Sequence, residues 1–178
     1  YYEHCSYFSI GSLARLFRRT GFEVVELSRE YDDQYLLIAA RPSTVPAAGE
    51  PLPEEDDMDL LRRGVDAFRT GYDLLVGEWR TRIAELTASE GQAVIWGSGS
   101  KGESFISNLA LGDELAAAVD INPHKWGKFM VGSDHEIFAP DALRELAPDL
   151  VVAMNPINVD EIGAQLHDLG VDTELTAL

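Results

Sequence analysis

The chain has 178 residues, 46% of them hydrophobic, enough for one or two packed domains. Its formal net charge of -17, from 31 acidic and 14 basic side chains, argues against nucleic acid and anionic membrane as partners, because both select basic surface. The lone cysteine, Cys5, excludes an internal disulfide and fits a reducing cytoplasm, and no apolar run approaches the roughly 20 residues that span a bilayer.

The sequence opens on YYEHCSYFS without an initiator Met, so it is expected to belong to a longer protein. This stretch holds the one acid–base cluster of the chain, Tyr1, Glu3 and His4. An imidazole beside a carboxylate and a phenol suits general-base work near neutral pH, although a Glu-His pair is also an ordinary surface feature. Ser9 then fits a helix cap, with Ile10, Leu13, Leu16 and Phe17 on one face. Arg18 and Arg19 suit the carboxyl end of that helix, and Gly21 suits a left-handed stop. Phe22 to Leu27 and Gln34 to Ala40 read as strands joined by a Tyr31-Asp32-Asp33 turn. One helix and two strands cannot close a core alone, so residues 1–41 are expected to be the edge of a larger sheet.

Residues 42–57 carry four prolines and most of an acidic run, and read as a solvated linker. From Met58 a single helix is expected, running to about residue 89. Leu61, Val65, Phe68, Tyr72, Leu75, Trp79, Ile83 and Leu86 recur on one side of it at mostly alternating four- and three-residue steps. Some 30 residues make such a helix ~45 Å long. Its stripe is expected to be a packing seam, with Phe68 and Trp79 buried. The competing reading is an exposed stripe that docks a partner.

Residues 90–178 read as a second domain of alternating strands and helices, hence a parallel sheet. Ala93 to Trp96 is a buried strand, followed by Gly97, Gly99 and Gly102 in G-x-G-x-x-G spacing and a helix from Glu103 to Leu111. Leu115 to Val119 is the next strand, tipped by Asp120. A polar loop (NPHKWGKFMVG) leads to a short strand at Glu136 to Phe138 and a helix at Pro140 to Leu146. Leu150 to Met154, a helix at Val159 to Leu169 stopped by Gly170, and a strand at Val171 to Leu175 complete the domain.

The glycine turn carries the clearest ligand signal. Its first glycine permits a tight turn, the second close approach of a phosphate, and the third close helix–strand packing. Helix amides and the charge of Lys101 favour an anion there, and Asp120 stands where an acid meets a ribose hydroxyl. Lys125 and Lys128, in the loop beyond, either bind phosphate or are plain surface charge. The turn also serves simply to close the fold. Cys5 and the four histidines show no metal-ligand spacing.

Three stretches resemble one family. YYEHCSYFSIGSLARLFRRTGFEVVEL is similar to the end of the class I core of the SAM-dependent C-methyltransferases that act on nucleotide-linked deoxysugars. VIWGSGSKG, VDINPHKWGKFMVGSDHEIFAPDAL and APDLVVAMNPINVDEI resemble their appended C-terminal Rossmann-like domain. The resemblance implies an α/β fold: a partial methyltransferase core edge, a long bridging helix, and a small doubly wound parallel sheet. It implies S-adenosylmethionine as cofactor of the whole enzyme, although its glycine-rich binding loop belongs to a core absent from this chain. In that family the Y-x-E-H stretch lies in the active site. The resemblance thus gives His4 the role of base, supported by Tyr1 and Glu3, removing a proton beside a sugar ketone to leave a carbanion for methylation. It makes Gly97, Gly99, Lys101, Gly102, Asp120 and Lys125 candidates to hold a phosphate-bearing acceptor, and it makes the N-terminal core the missing partner. The glycine-glycine-serine turn and arginine that the family's sugar-active members carry around the last core strand are replaced here by YDDQYLLIAAR, a departure that bears on whether the acceptor is a sugar. A nicotinamide-binding domain and a non-catalytic interaction module are the alternatives.

Overall fold

The structure, a computed structural model, describes residues 5–45 and 49–178. They fall into two compact units, divided within one long helix between Tyr72 and Asp73.

In the first unit, helix α1 (Ile10–Arg19) starts where the sequence places its cap. The Ser9 hydroxyl accepts from the Ser12 amide at 3.1 Å, and the Ser12 hydroxyl accepts from the Ser9 amide at 2.8 Å. Ile10 and Ala14 pack on Val24 and Leu27 of strand β1 (Phe22–Glu30). This strand pairs antiparallel with β2 (Tyr35–Pro42). The hairpin turns through Tyr31, Asp32 and Asp33, whose φ angles are 55°, 53° and 59°. Among the described residues the sheet has these two strands only, so they do not contain the larger sheet expected around it.

The acidic stretch that follows is not a solvated linker. Glu55, in a 3-10 turn (Pro53–Glu55), and Asp57 are 7% and 4% exposed. The Arg18 guanidinium donates from Nε to both Glu55 oxygens at 3.0 and 3.1 Å, and from NH2 to Oε1 at 2.6 Å. Asp57 Oδ2 accepts from the Gly11 amide at 2.8 Å, at the positive end of α1, and Arg15 lies 3.2 Å from Oδ1. Burial works to raise both carboxyls. Arg18 and the Leu52 amide outweigh it at Glu55, as Ser9, Gly11 and Arg15 do at Asp57, so both stay below the usual carboxylate range. Arg18, expected merely to complement the helix end, is 6% exposed and holds this segment down.

Helix α2 (Met58–Ala88) is continuous. Its stripe divides: Trp79 and Ile83 are buried, at 8% and 1% exposure, whereas Phe68 is 69% exposed, contrary to the sequence expectation. Periodicity marks the face of a helix but not how far along it a cover extends.

The second unit contains a five-stranded, wholly parallel sheet in the order β5-β4-β3-β6-β7. Its elements are β3 (Ala93–Trp96), α3 (Ser100–Leu109), β4 (Leu115–Val119), β5 (Ile137–Phe138), α4 (Leu143–Leu146), β6 (Leu150–Ala153), α5 (Val159–Leu169) and β7 (Glu174–Ala177). One core layer packs Trp79, Ile83, Phe105 and Ile106 on Ile95 and Val152. The other packs Leu143, Ile162 and Leu166 on Val94 and Val151. Every residue of β3 and β6 is buried, as expected for central strands covered on both faces. The helix expected from Pro140 is a 3-10 turn (Pro140–Ala142) followed by the single turn α4. The last strand starts three residues later than expected. From β3 the chain crosses to β4 on one side and later returns to β6 on the other. Order therefore reverses beside the carboxyl end of β3, the place where open α/β sheets hold ligands.

Candidate functional site at the carboxyl edge of the parallel sheet

The glycine turn leaves β3 at this reversal. Gly97 has φ +117°, and a Cβ there would stand 3.1 Å from the Met154 side chain. At Gly102, in the first turn of α3, a Cβ would stand 2.6 Å from the Gly97 carbonyl oxygen. Both positions need glycine, the first for its backbone and the second so that the helix can sit against the turn. Gly99 caps α3 without a side-chain hydrogen bond, and a Cβ there would meet open space. The first turn of α3 therefore opens outward. Lys101 is half-buried beside it and makes no hydrogen bond or ion pair with the described residues.

Asp120 behaves differently from the sequence expectation of a ribose acceptor. Its Oδ2 accepts from the Ser98 amide at 3.0 Å, the Ser98 hydroxyl at 2.5 Å and Lys125 Nζ at 2.9 Å. Its Oδ1 accepts from the Asn122 amide at 2.9 Å. A carboxylate offers about four acceptor positions, so this one has almost none left for a ligand. Burial alone would raise the Asp120 carboxyl. The Ser98 hydroxyl, Lys125 and the amides of Asn122 and Ser98 outweigh it and hold its pKa down to about 2. Lys125 spends its charge on this carboxylate and also approaches the Ser98 carbonyl at 3.5 Å. Trp126 Nε1 donates to the Asp120 carbonyl at 2.7 Å. Together these bonds tie the loop after β4 to the glycine turn.

The same loop is folded back on β5. Gly127 N donates to the Ile137 carbonyl at 2.9 Å, and Ile137 N to that of Lys128 at 2.7 Å. His135, weighed in the sequence only as a metal ligand, is 6% exposed. Its Nε2 lies 2.9 Å from the Gly112 carbonyl, which can only accept, so Nε2 carries the proton and Nδ1 faces the Ser133 hydroxyl at 2.9 Å. This histidine braces the loop.

The structure thus brings Gly97, Gly99, Lys101, Gly102, Asp120 and Lys125 to one edge of the sheet. Tyr1, Glu3 and His4 lie outside the described residues. Ser98, between the first two glycines of the turn, is the main partner of Asp120; a hydroxyl in a turn that precedes an acid-tipped strand is the sequence signal for it. Of the chain's three lysines, Lys101 and Lys125 stand at this edge, and Lys128 lies beside β5, where its carbonyl accepts from Ile137 N. Among the described residues there is no group of metal-ligating side chains, and no helix is long and apolar enough to cross a membrane.

The sequence matches the family model of the C-methyltransferase C-terminal domain over residues 40–173. It is 27% identical over 165 residues to the C-methyltransferase NovU of Streptomyces niveus, in an alignment covering 87% of this chain and 39% of that protein. The chain therefore spans about two fifths of the length of this relative. Among solved structures, it is similar to the UDP-D-quinovosamine 4-dehydrogenase of Vibrio fischeri, with 21% identity and a TM-score of 0.41 over 49% of this chain and 77% of that one. It is also similar to RSP, a Rex-family repressor, with 16% identity and a TM-score of 0.38 over 49% and 52% of the two chains.

Proposed function

This chain belongs to the C-methyltransferase C-terminal domain family, and from that premise we infer that it is the C-terminal part of a SAM-dependent C-methyltransferase whose parallel-sheet unit helps to hold an anionic acceptor. The acceptor class we propose is a nucleotide-linked keto-sugar. The observation that carries the anionic reading is the state of Asp120. Its oxygens are occupied by Ser98, Asn122 and Lys125, which leaves little with which to grip a ribose as a nicotinamide site would. What remains open at the edge is the first turn of α3 and the unpaired ammonium of Lys101, both suited to a phosphate.

S-adenosylmethionine is implied by the family, but the residues here do not fit as its site. The hairpin of β1 and β2 carries no strand–glycine turn–helix, and the one such turn described is the Gly97–Gly102 turn of the other unit. The chemistry assigned to this chain is therefore confined to its own groups. In this reading His4 removes a proton beside the acceptor's carbonyl, with Glu3 and Tyr1 supporting it. The support is their place in the Tyr-x-Glu-His stretch of the sequence.

The test of the anion site is calorimetric titration of the chain with a nucleoside-diphosphate sugar at low salt. Lys101→Ala is expected to weaken binding about tenfold or more, and added salt should shrink the difference. Equal affinity for both proteins at low salt would leave the turn a purely architectural device.

A further inference from the structure

Helix α1 is held by two acids that lie far along the chain from it. Its apolar residues Ile10 and Ala14 rest on Val24 and Leu27 of β1. Apolar contact is non-directional, so this face sets where the helix lies but not where along its axis it starts. The carboxylates supply that. At the last turn, Arg18 is paired with Glu55. At the first turn, Asp57 Oδ2 accepts from the Gly11 amide at 2.8 Å, and the Ser9 side chain is bonded to the same carboxylate. Arg15, between the two ends, donates from Nη1 to the Glu55 carbonyl at 3.0 Å and from Nη2 to Asp57 Oδ1 at 3.2 Å.

Stability alone does not account for this arrangement. Glu55 and Asp57 are both buried, and apolar groups of the same volume often hold a buried contact as well as an ion pair does. The attested use of such buried polar groups is to fix a register. Gly11 tells which end of the helix is fixed most closely. Glycine weakens a helix, yet here a Cβ would collide with Asp57 Oδ1 and stand 2.5 Å from the Glu55 carbonyl oxygen. The first turn thus carries an unfavourable residue so that the carboxylate can reach its amide. Local capping does not require this, because the Ser9 hydroxyl already accepts from the Ser12 amide. His4 precedes the Ser9 cap by five residues in the sequence, so the start of α1 is also where the chain departs towards it.

We propose that Asp57, with Gly11 and Arg15, positions residues 1–4 by fixing the start of α1, and so acts on methyl transfer through His4. This rests on the assignment of His4 as the base. The three are positioning residues, and their effect is one of geometry: displacing a reacting group by about 1 Å costs up to about 10²-fold in rate.

Steady-state kinetics of the longer methyltransferase test this, each variant assayed at a temperature where circular dichroism shows it folded. Asp57→Asn turns an N–H towards either Gly11 N or Arg15, and Gly11→Ala drives the carboxylate off from the helix side without removing a charge. Each is expected to lower kcat roughly tenfold to a hundredfold, with KM for acceptor and S-adenosylmethionine within about twofold. The pair together should be no slower than the worse single variant, and Asp57→Asn should add nothing in a His4→Asn background. Glu55→Gln, at the other end of α1, should keep kcat near wild type. Wild-type kcat in both Asp57→Asn and Gly11→Ala would overturn the proposal and leave the role of His4 standing. So would a Glu55→Gln variant as slow as Asp57→Asn, or a full additional loss on top of His4→Asn. Wild-type kcat in His4→Asn itself would remove the base assignment, and the proposal with it.

Discussion

Replacing Asp120 by asparagine isolates the bond network that ties the glycine turn to the loop after β4. The side chain keeps its size but loses its charge, and one acceptor oxygen becomes a donor. Either orientation of the amide then points N–H at an existing donor: at Asn122 N, or at the group formed by Ser98 and Lys125. The charge term follows from the carboxyl itself. A pKa of about 2 in the folded chain against an ordinary 3.8 corresponds to about 2 kcal/mol of stability. The mismatched donor adds about 1–2 kcal/mol, so Asp120→Asn is expected to cost about 3–4 kcal/mol at pH 7. Because the folded pKa is depressed, this stabilisation is complete above pH ~4 and is lost as pH falls towards 2, with about half gone near pH 3. Chemical denaturation followed by tryptophan fluorescence reads the right unit, since Trp79, Trp96 and Trp126 all lie within Asp73–Leu178. The gap between wild type and variant should narrow on acidification. A loss under ~1 kcal/mol at pH 7, or a gap that does not change between pH 7 and pH 3, would refute the reasoning.

Trp79→Ala should destabilise by about 3–5 kcal/mol in the same denaturation experiment, because the ring is buried and meets Phe105 edge-on at 5.2 Å. Phe68→Ala, on the same stripe but exposed, should change the unfolding of the isolated monomer by under ~1 kcal/mol. Glu55→Ala strands the buried guanidinium of Arg18 and is expected to cost about 3–5 kcal/mol, measured as loss of the hairpin unit's hydrogen-exchange protection; full protection in the variant would contradict it. In the longer methyltransferase proposed above, His4→Asn is expected to lower turnover by about 10²–10⁴-fold with little change in S-adenosylmethionine affinity. Solvent exchange of the acceptor's acidic hydrogen at the wild-type rate in that variant would remove His4 from the mechanism.

The strands, helices and glycine turn were legible because they follow from short-range rules: the apolar run of Ala93 to Trp96, the cap at Ser9, the left-handed stop at Gly170. What sequence reading missed depends on partners far along the chain. Nothing within the acidic run distinguishes Glu55 and Asp57 from Glu54 and Asp56; only Arg15 and Arg18, some forty residues earlier, select which two carboxylates are buried. Phe68 and Trp79 occupy equivalent places on one helical seam, and tertiary cover alone separates them. At the candidate site the residue types were foreseen, but Asp120 and Lys125 bind each other, because an acid at a strand tip captures the nearest ammonium and hydroxyl.

The scarcity of lysine has a practical consequence. Eleven of the chain's fourteen cationic residues are arginine, and of its three side-chain amines Lys101 and Lys125 sit at the carboxyl edge of the parallel sheet and Lys128 in the loop after β4. An acylating reagent that ignores guanidinium groups is thus a footprinting tool directed at the candidate site. Lys125, held 2.9 Å from a carboxylate, should react more slowly than exposed Lys128. The acylation of Lys101, read peptide by peptide in a mass spectrometer, would report whichever anion comes to shield it.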